Sequence, residues 1–389
     1  MKNNIKILHL ASFIGNIGDN VNHLGFYNWF QKLIPNKEIS WTELEIREFY
    51  WKNKKWDNSI VAYFNEFDLV VIGGGNYLEL WVDDSPTGTS IGLSIEQLEL
   101  IKTPIFFNAL GFDIHQGVNS NNDSKAKKLL DYIFSKSNRM ITVRNDGAIE
   151  NLKTLYGSEY SQSIPMCPDG GFYIHKDNSN ILTSAKNNSN ELNLVINLAC
   201  DMESVRFKNF PNESSELYLK EISSSLAEVV KKFDNIKLIF AIHMYSDLWS
   251  TYQVLKNLPD NVRRKQVKVC SYDKPSISVG EIIDVYKNAD LVIASRFHSN
   301  VLALAMGKKT IPLVNYPQIS NLYKDIRLSE LSFDVSNPGF GKSLTRLIMH
   351  KVKLDKADYD YKALNKMLEN SRIEIEEICS KWLQINKLI

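Results

Sequence analysis

Cysteine is scarce in this chain: Cys167, Cys200, Cys270 and Cys379 are the 4 present in 389 residues, and none forms a CxxC pair. That spacing excludes a disulfide framework and a zinc ribbon, and predicts reduced, buried thiols. Long apolar runs are missing too, since no stretch approaches the roughly 18 residues that span a bilayer. The apolar run after Ile5 contains His9, has no small-residue cleavage site and leads straight into Gly15, so it reads as a first strand rather than a signal peptide. Nor does one sign of charge dominate: Lys+Arg 46 against Asp+Glu 45 leaves a net charge of +1. A dedicated nucleic-acid binder, which needs a basic surplus against phosphates, is disfavoured, although a local basic pocket is not. No HExxH or P-loop pattern occurs, so the chemistry is expected to use no metal. The strand-to-helix serine elbow of the hydrolases is absent as well.

What is present is alternation. Short β-branched or leucine-rich runs end in Gly, Asn or polar residues and lead into helix-period segments, as βα units around parallel sheets require. The runs are 5–11, 69–72, 105–109 and 140–143, then 192–198, 237–242, 267–269, 291–294 and 309–314. A chain of 44.6 kDa accommodates two domains. Residues 176–191, rich in Asn, Ser and Lys, read as the linker between a Rossmann-like domain at 1–175 and another at 192–350. Residues 351–389 read as C-terminal helix that packs back on the first domain. The expected fold class is therefore α/β, two doubly wound parallel-sheet domains with ligands at the strand carboxyl ends facing a cleft.

Particular junctions carry chemistry. Asn16, Gly18 and Asp19 follow the first strand and open a helix, where glycine lets a ligand approach and the helix N-terminus favours an anion; Asp19 equally suits an N-cap. The Gly73, Gly74, Gly75 and Asn76 loop signals either a ligand contact or a tight steric turn. The loop after 106–110 carries Asp113 and His115. Arg144 ends a strand, placed to fork onto a carboxylate or phosphate or to pair with Asp146. Most informative is Ser295, Arg296, Phe297, His298 and Ser299, where a permanent cation and a titratable imidazole meet at a strand end and a helix start. His243 and Asp247 form a weaker pair for the same cleft.

Together these pieces resemble the polysaccharide pyruvyl transferase family: Asn16-Ile17-Gly18-Asp19, the triple glycine at 73–75, Val143-Arg144 with Leu152 and Gly157, Pro168-Asp169, and Ala289-Asp290 through Ser295-Arg296-Phe297-His298 with Gly307 and Pro312. The order runs over about residues 7–320. The chain departs from the family pattern at Asn145 and Ala148, where an Asp and a Ser are usual, and at Ile319, where a Lys is usual after Tyr316. The resemblance implies two Rossmann-like domains in the manner of the GT-B glycosyltransferases. It also implies transfer of pyruvate from phosphoenolpyruvate to two hydroxyls of a sugar, giving a cyclic ketal and phosphate.

On that reading Arg144, Arg296, Phe297, His298 and Ser299 hold the donor, while His298, Arg296 and His115 are catalytic. Asn16, Gly18, Asp19, Gly74, Gly75, Asn76 and His243 line the acceptor side or the cleft. The partners implied are phosphoenolpyruvate and a glycan acceptor, free or lipid-linked, in the cytoplasm or peripherally at the inner membrane face. The exposed-or-core status of Tyr50, Trp51, Trp56, Tyr77 and Trp81 decides whether they stack on sugars or pack inside. A nucleotide-sugar glycosyltransferase of the same fold is one rival, and needs a carboxylate for the ribose. A glycan-binding protein without turnover is the other, and predicts that internal partners occupy Arg296 and His298.

Overall fold

The computed structural model describes residues 4–119, 121–174, 190–354 and 361–389, so nearly all of the linker expected at 176–191 lies outside the described residues. Contacts divide the chain into two compact units. The first comprises Met1–Phe13, Asn22–Tyr173 and Asn365–Ile389, and the second Ile14–Val21 and Ile174–Leu364.

In the first unit β1 (Asn4–Ala11), β2 (Glu38–Glu45), β3 (Leu69–Gly73), β4 (Ile105–Leu110), β5 (Arg139–Arg144) and β6 (Met166–Cys167) form a 6-stranded parallel sheet in the order β2-β1-β3-β4-β5-β6. Alternate side chains feed opposite faces, as a pleat with period two demands. Leu8, Leu10, Val70 and Ile72 enter one core, whereas Ile5, Ile7, Leu69 and Val71 enter the other with Trp29 and Phe30 of α1 (Ile17–Leu33). That second face is closed by the C-terminal helix Lys362–Ile385, which adds Ile375, Cys379, Trp382 and Leu383. The Trp382 Nε1–H donates to the Ser137 carbonyl at 3.0 Å. The strand β2 is missing from the sequence reading because it lies at the sheet edge with most side chains partly exposed, so its run Glu38–Glu45 carries no continuous apolar signal.

The second unit holds β7 (Leu192–Asn197), β8 (Ile236–Phe240), β9 (Val267–Val269), β10 (Leu291–Ala294), β11 (Lys309–Val314) and β12 (Phe333–Asp334), parallel in the order β9-β8-β7-β10-β11-β12. Strand order reverses between β7 and β10, and β1 and β3 flank the corresponding reversal in the first sheet. Open α/β sheets bind ligands beyond the carboxyl ends of their strands at such points. Cys167, Cys200, Cys270 and Cys379 are free and buried. Among the described residues no helix is long and apolar enough to cross a membrane.

Ile14–Val21 groups with the second unit although it follows β1, which corrects the assignment of Asn16, Gly18 and Asp19 to the first domain. Ile17 N–H donates to the His243 carbonyl at 2.9 Å and the Tyr272 hydroxyl donates to the Gly15 carbonyl at 2.9 Å.

Gly73 shows why glycine ends β3. A Cβ there would lie 2.0 Å from the Asn108 carbonyl oxygen on the neighbouring strand, and Gly74 N–H needs that same oxygen at 3.0 Å. Gly73→Ala therefore forces the sheet apart at its carboxyl end, and a loss of about 1–3 kcal/mol in urea unfolding is expected. An unchanged midpoint would contradict the close approach.

Candidate functional site

Strand β10 delivers Ser295 and Arg296 to the N-terminus of α3 (Phe297–Ala305). Arg296 stands at the cap position without a capping bond, and its guanidinium reaches the first turn of α2 (Ser246–Asn257). There Nε donates to both Asp247 oxygens at 2.8 and 3.0 Å, and Nη2 donates to Oδ1 at 2.5 Å and to Ser246 Oγ at 3.1 Å. The Asp247 Oδ2 also accepts from Asn197 Nδ2 (3.2 Å), His243 N–H (3.0 Å) and Met244 N–H (3.2 Å). One buried carboxylate thus ties together the carboxyl ends of β7, β8 and β10.

The other side of Arg296 is looser. Its partner there is Asp201, whose side chain is 29% exposed, at 3.3 Å from Nη2 and 3.4 Å from Nη1. Asp201 is shared with Arg206 at 3.7 Å, and Arg206 in turn donates to Asn315 Oδ1 at 2.9 Å and lies over the Tyr316 ring. Burial works against the Arg296 charge, but Asp247 and Asp201 outweigh it and raise its pKa above the ordinary arginine value. Burial likewise raises the pKa of Asp201, yet Arg296 and Arg206 overcome it and leave the carboxyl below the usual range. Arg206 is lowered, chiefly by burial, with Asp201 opposing.

His298 faces a carboxylate that follows β1 in the chain. Its Nδ1 lies 3.4 Å from Asp19 Oδ1, and the missing side chain of Gly18 makes the room: a Cβ there would sit 2.6 Å from the His298 Cβ. Asp19 is not the cap of α1. Asn16 fills that role, its Oδ1 accepting from Gly18 N–H at 3.0 Å, while its Nδ2 donates to Asp19 Oδ1 at 2.9 Å and steadies the carboxylate. A carboxylate at Nδ1 favours the tautomer with the proton there, which makes Nε2 the basic nitrogen.

Two expected site residues stand behind this arrangement instead of in it. His243 is 1% exposed, its Nε2 meets the Tyr286 hydroxyl at 3.1 Å, and burial pushes its pKa down to about 3, helped by Arg296 and His298. It stays neutral and packs. Ser299 is fully buried and hydrogen-bonds the same Tyr286 hydroxyl. Phe297 is buried with its ring edge-on to His298 at 5.3 Å.

In the first unit Arg144 is buried and paired internally. Its Nε and Nη2 donate to Asp146 Oδ2 at 3.0 and 2.8 Å, and Nη1 lies 3.5 Å from Asp169 Oδ2. The sequence reading that left Asp146 open as partner describes this contact, and Asp169 of the Pro168-Asp169 pair supplies the second carboxylate. Gly74 and Gly75 are packed against Asn22 and Tyr77, so their glycines serve the turn. Asn76 Nδ2 bridges two carboxylates, Asp113 at 3.2 Å and Glu79 at 3.4 Å. Burial and then Asp113 push the Glu79 carboxyl up to about 7. His115 is exposed, its N–H donating to Asp113 Oδ1 at 2.8 Å. Among the expected sugar-stacking aromatics, Trp56 stacks on Phe49 and Tyr77 is buried.

Asp201, Arg206, Glu79 and Tyr286 were missed by sequence reasoning. The usable signal for Asp201 was its place just past the end of β7, in the loop where a doubly wound sheet presents polar groups.

The chain matches the family described as polysaccharide pyruvyl transferase over residues 16–316. No curated protein sequence matches it. Among solved structures it is similar to a putative UDP-N-acetylglucosamine 2-epimerase from Listeria monocytogenes, at 10% identity over 96% of this chain and 97% of that one, with a TM-score of 0.55. It is also similar to UDP-GlcNAc 2-epimerase from Methanocaldococcus jannaschii (12% identity, 94% and 99% covered, TM-score 0.52) and to apo OtsA (10% identity, 97% and 99% covered, TM-score 0.54). At such identities the likeness is one of fold, the GT-B class of paired parallel-sheet α/β units.

The two partners of Arg296 should differ in weight. Asp247→Asn leaves a buried guanidinium under-compensated and is expected to lower unfolding free energy by about 3–5 kcal/mol, whereas Asp201→Asn, at a partly exposed ion pair, costs about 1 kcal/mol or less. Equal losses in denaturant titrations would refute the ranking. For Glu79 the folded-state pKa lies above the unfolded one, so its contribution to stability is present at low pH and is lost as pH rises through about 7. The melting temperature of Glu79→Gln should therefore fall less between about pH 5 and 7 than that of the parent protein, and parallel curves would argue against a buried, protonated Glu79.

Proposed function

The chain belongs to the polysaccharide pyruvyl transferase family, whose match spans more than half of its residues, and from that premise we propose that it moves pyruvate from phosphoenolpyruvate onto two hydroxyls of a sugar in a surface polysaccharide, such as a capsule, or in its lipid-linked precursor. The observation that carries this reading is the asymmetric hold on Arg296. Asp247 locks the guanidinium from one side, and the looser, partly exposed Asp201 is the carboxylate on the other among the described residues. A donor phosphate or carboxylate takes the place of Asp201 and finds a cation already oriented. No cofactor enters the scheme, because phosphoenolpyruvate is itself the activated donor.

The reaction needs proton transfer at two stages. Protonation of the donor methylene carbon to methyl leaves the central carbon electron-poor, and the first sugar hydroxyl adds there as its proton departs. The C–O bond to phosphate then breaks as the second hydroxyl adds, its proton leaving with the phosphate, so the two hydroxyl protons end on the methyl group and on inorganic phosphate. His298, oriented through Nδ1 by Asp19, presents Nε2 for one of these transfers. Arg144 is left out of donor binding in this scheme, because Asp146 and Asp169 already balance its charge. The setting is the cytoplasm, with peripheral contact at the inner membrane face when the acceptor is lipid-linked.

A second reading is favoured by one observation: Arg296 and His298 both have internal partners, as a glycan-binding protein without turnover would also show. Phosphate release separates the two. Phosphoenolpyruvate should raise the melting temperature and release phosphate only with a suitable oligosaccharide from an acceptor panel. Asp201→Asn should lower KM for phosphoenolpyruvate several-fold. Asp19→Asn should reduce kcat on the order of tenfold to a hundredfold with KM unchanged, within the share that general acid–base catalysis supplies, and Asp19→Glu should restore part of it. Stabilisation by a nucleoside diphosphate in place of phosphoenolpyruvate would instead indicate a glycosyltransferase, and no response to either ligand would favour the glycan-binding protein.

A further inference from the structure

The segment after β2 turns two aromatic side chains out and two in. Phe49 is buried and stacks on Trp56 with ring centroids 3.8 Å apart, while Tyr50 is 75% and Trp51 46% exposed. The turn that achieves this is tightly built. Trp51 N–H donates to the Arg47 carbonyl at 2.7 Å, Asn53 and Lys54 N–H both donate to the Glu48 carbonyl at 2.9 and 3.0 Å, and Lys52 adopts a left-handed φ of 62°. Trp56 is held from behind, since its carbonyl accepts from Gln97 Nε2 at 3.1 Å and a Cβ on Gly92 would come within 2.3 Å of its ring. Tyr50 and Trp51 therefore stay in water because the backbone fixes them there, at the cost of apolar surface that burial would stabilise.

Lys52, Lys54 and Lys55 follow these rings directly in the chain and are all exposed. Glu48 and Asp57 offset part of the charge, and with Arg47 a positive surplus remains. Exposed Tyr and Trp beside flexible lysines match the surface of an anionic bilayer, where the rings enter the headgroup layer and the ammonium groups meet lipid phosphates. A soluble polyanion would engage the lysines but leave the rings no apolar medium to enter.

We infer that Tyr50, Trp51, Lys52, Lys54 and Lys55 form a docking surface for an anionic lipid membrane. This extends the localisation part of the proposed function, and vesicle binding is read without turnover, so its failure leaves the transferase reading standing. Each lysine near an anionic leaflet raises partitioning about fivefold. The full chain should co-sediment with phosphatidylcholine vesicles containing phosphatidylglycerol, weakly with phosphatidylcholine alone, and less as salt rises. Lys52→Gln/Lys54→Gln/Lys55→Gln should lose on the order of a hundredfold of this binding. Tyr50→Ser/Trp51→Ser should lose on the order of tenfold and abolish the blue shift of tryptophan emission on binding. Trp249→Ser, at an equally exposed ring of the second unit, should change neither. Undiminished binding by the lysine variant would overturn the proposal. So would a lysine-dependent binding that ignores Tyr50→Ser/Trp51→Ser and is matched by heparin, because that describes a polyanion site, and so would an equal loss with Trp249→Ser.

Discussion

The second unit is organised around one carboxylate. Asp247 sits at 1% exposure where β7, β8 and β10 end, and it takes hydrogen bonds from Asn197, from the backbone of His243 and Met244, and from Arg296. A buried ion costs desolvation that only full hydrogen bonding offsets, so the arrangement persists because both Asp247 oxygens are satisfied. Its consequence is positional. Arg296 cannot swing, so the side of the guanidinium that faces Asp201 keeps a fixed direction, and His298, two residues on, is delivered to Asp19.

Near-neutral net charge conceals this local pairing. The arginines that the sequence offers as anion ligands, Arg144 and Arg296, are each met by two carboxylates, but not alike. Arg144 has both of its partners buried, with side chains 3% and 0% exposed. Arg296 has one buried partner and one that reaches solvent. That difference in exposure, not the presence of an arginine at a strand end, is what separates a structural ion pair from a group able to accept an incoming anion.

Most strands were legible because parallel strands buried on both faces read as continuous apolar runs, and Leu69–Gly73 or Leu291–Ala294 cannot be mistaken for solvated segments. The edge strand Glu38–Glu45 escaped for the opposite reason. The loop motifs were legible as places but not as roles. Nothing in the spacing says that Asp19 reaches His298, since the two are separated by most of the chain and meet only because Ile14–Val21 belongs with the second unit. Nor does sequence tell an exposed Trp51 from a stacked Trp56 within one short run; hydrogen bonds at the turn decide that.

The central claim is that Arg296 is a preset anion receptor with one removable carboxylate. A crystal structure of the protein soaked with phosphoenolpyruvate tests it most directly. The account predicts a donor oxygen within hydrogen-bond distance of Arg296 Nη1, Asp201 turned away, and Asp247 still bound as it is without ligand. A donor held elsewhere, with Asp201 and Asp247 both unmoved on Arg296, would contradict it.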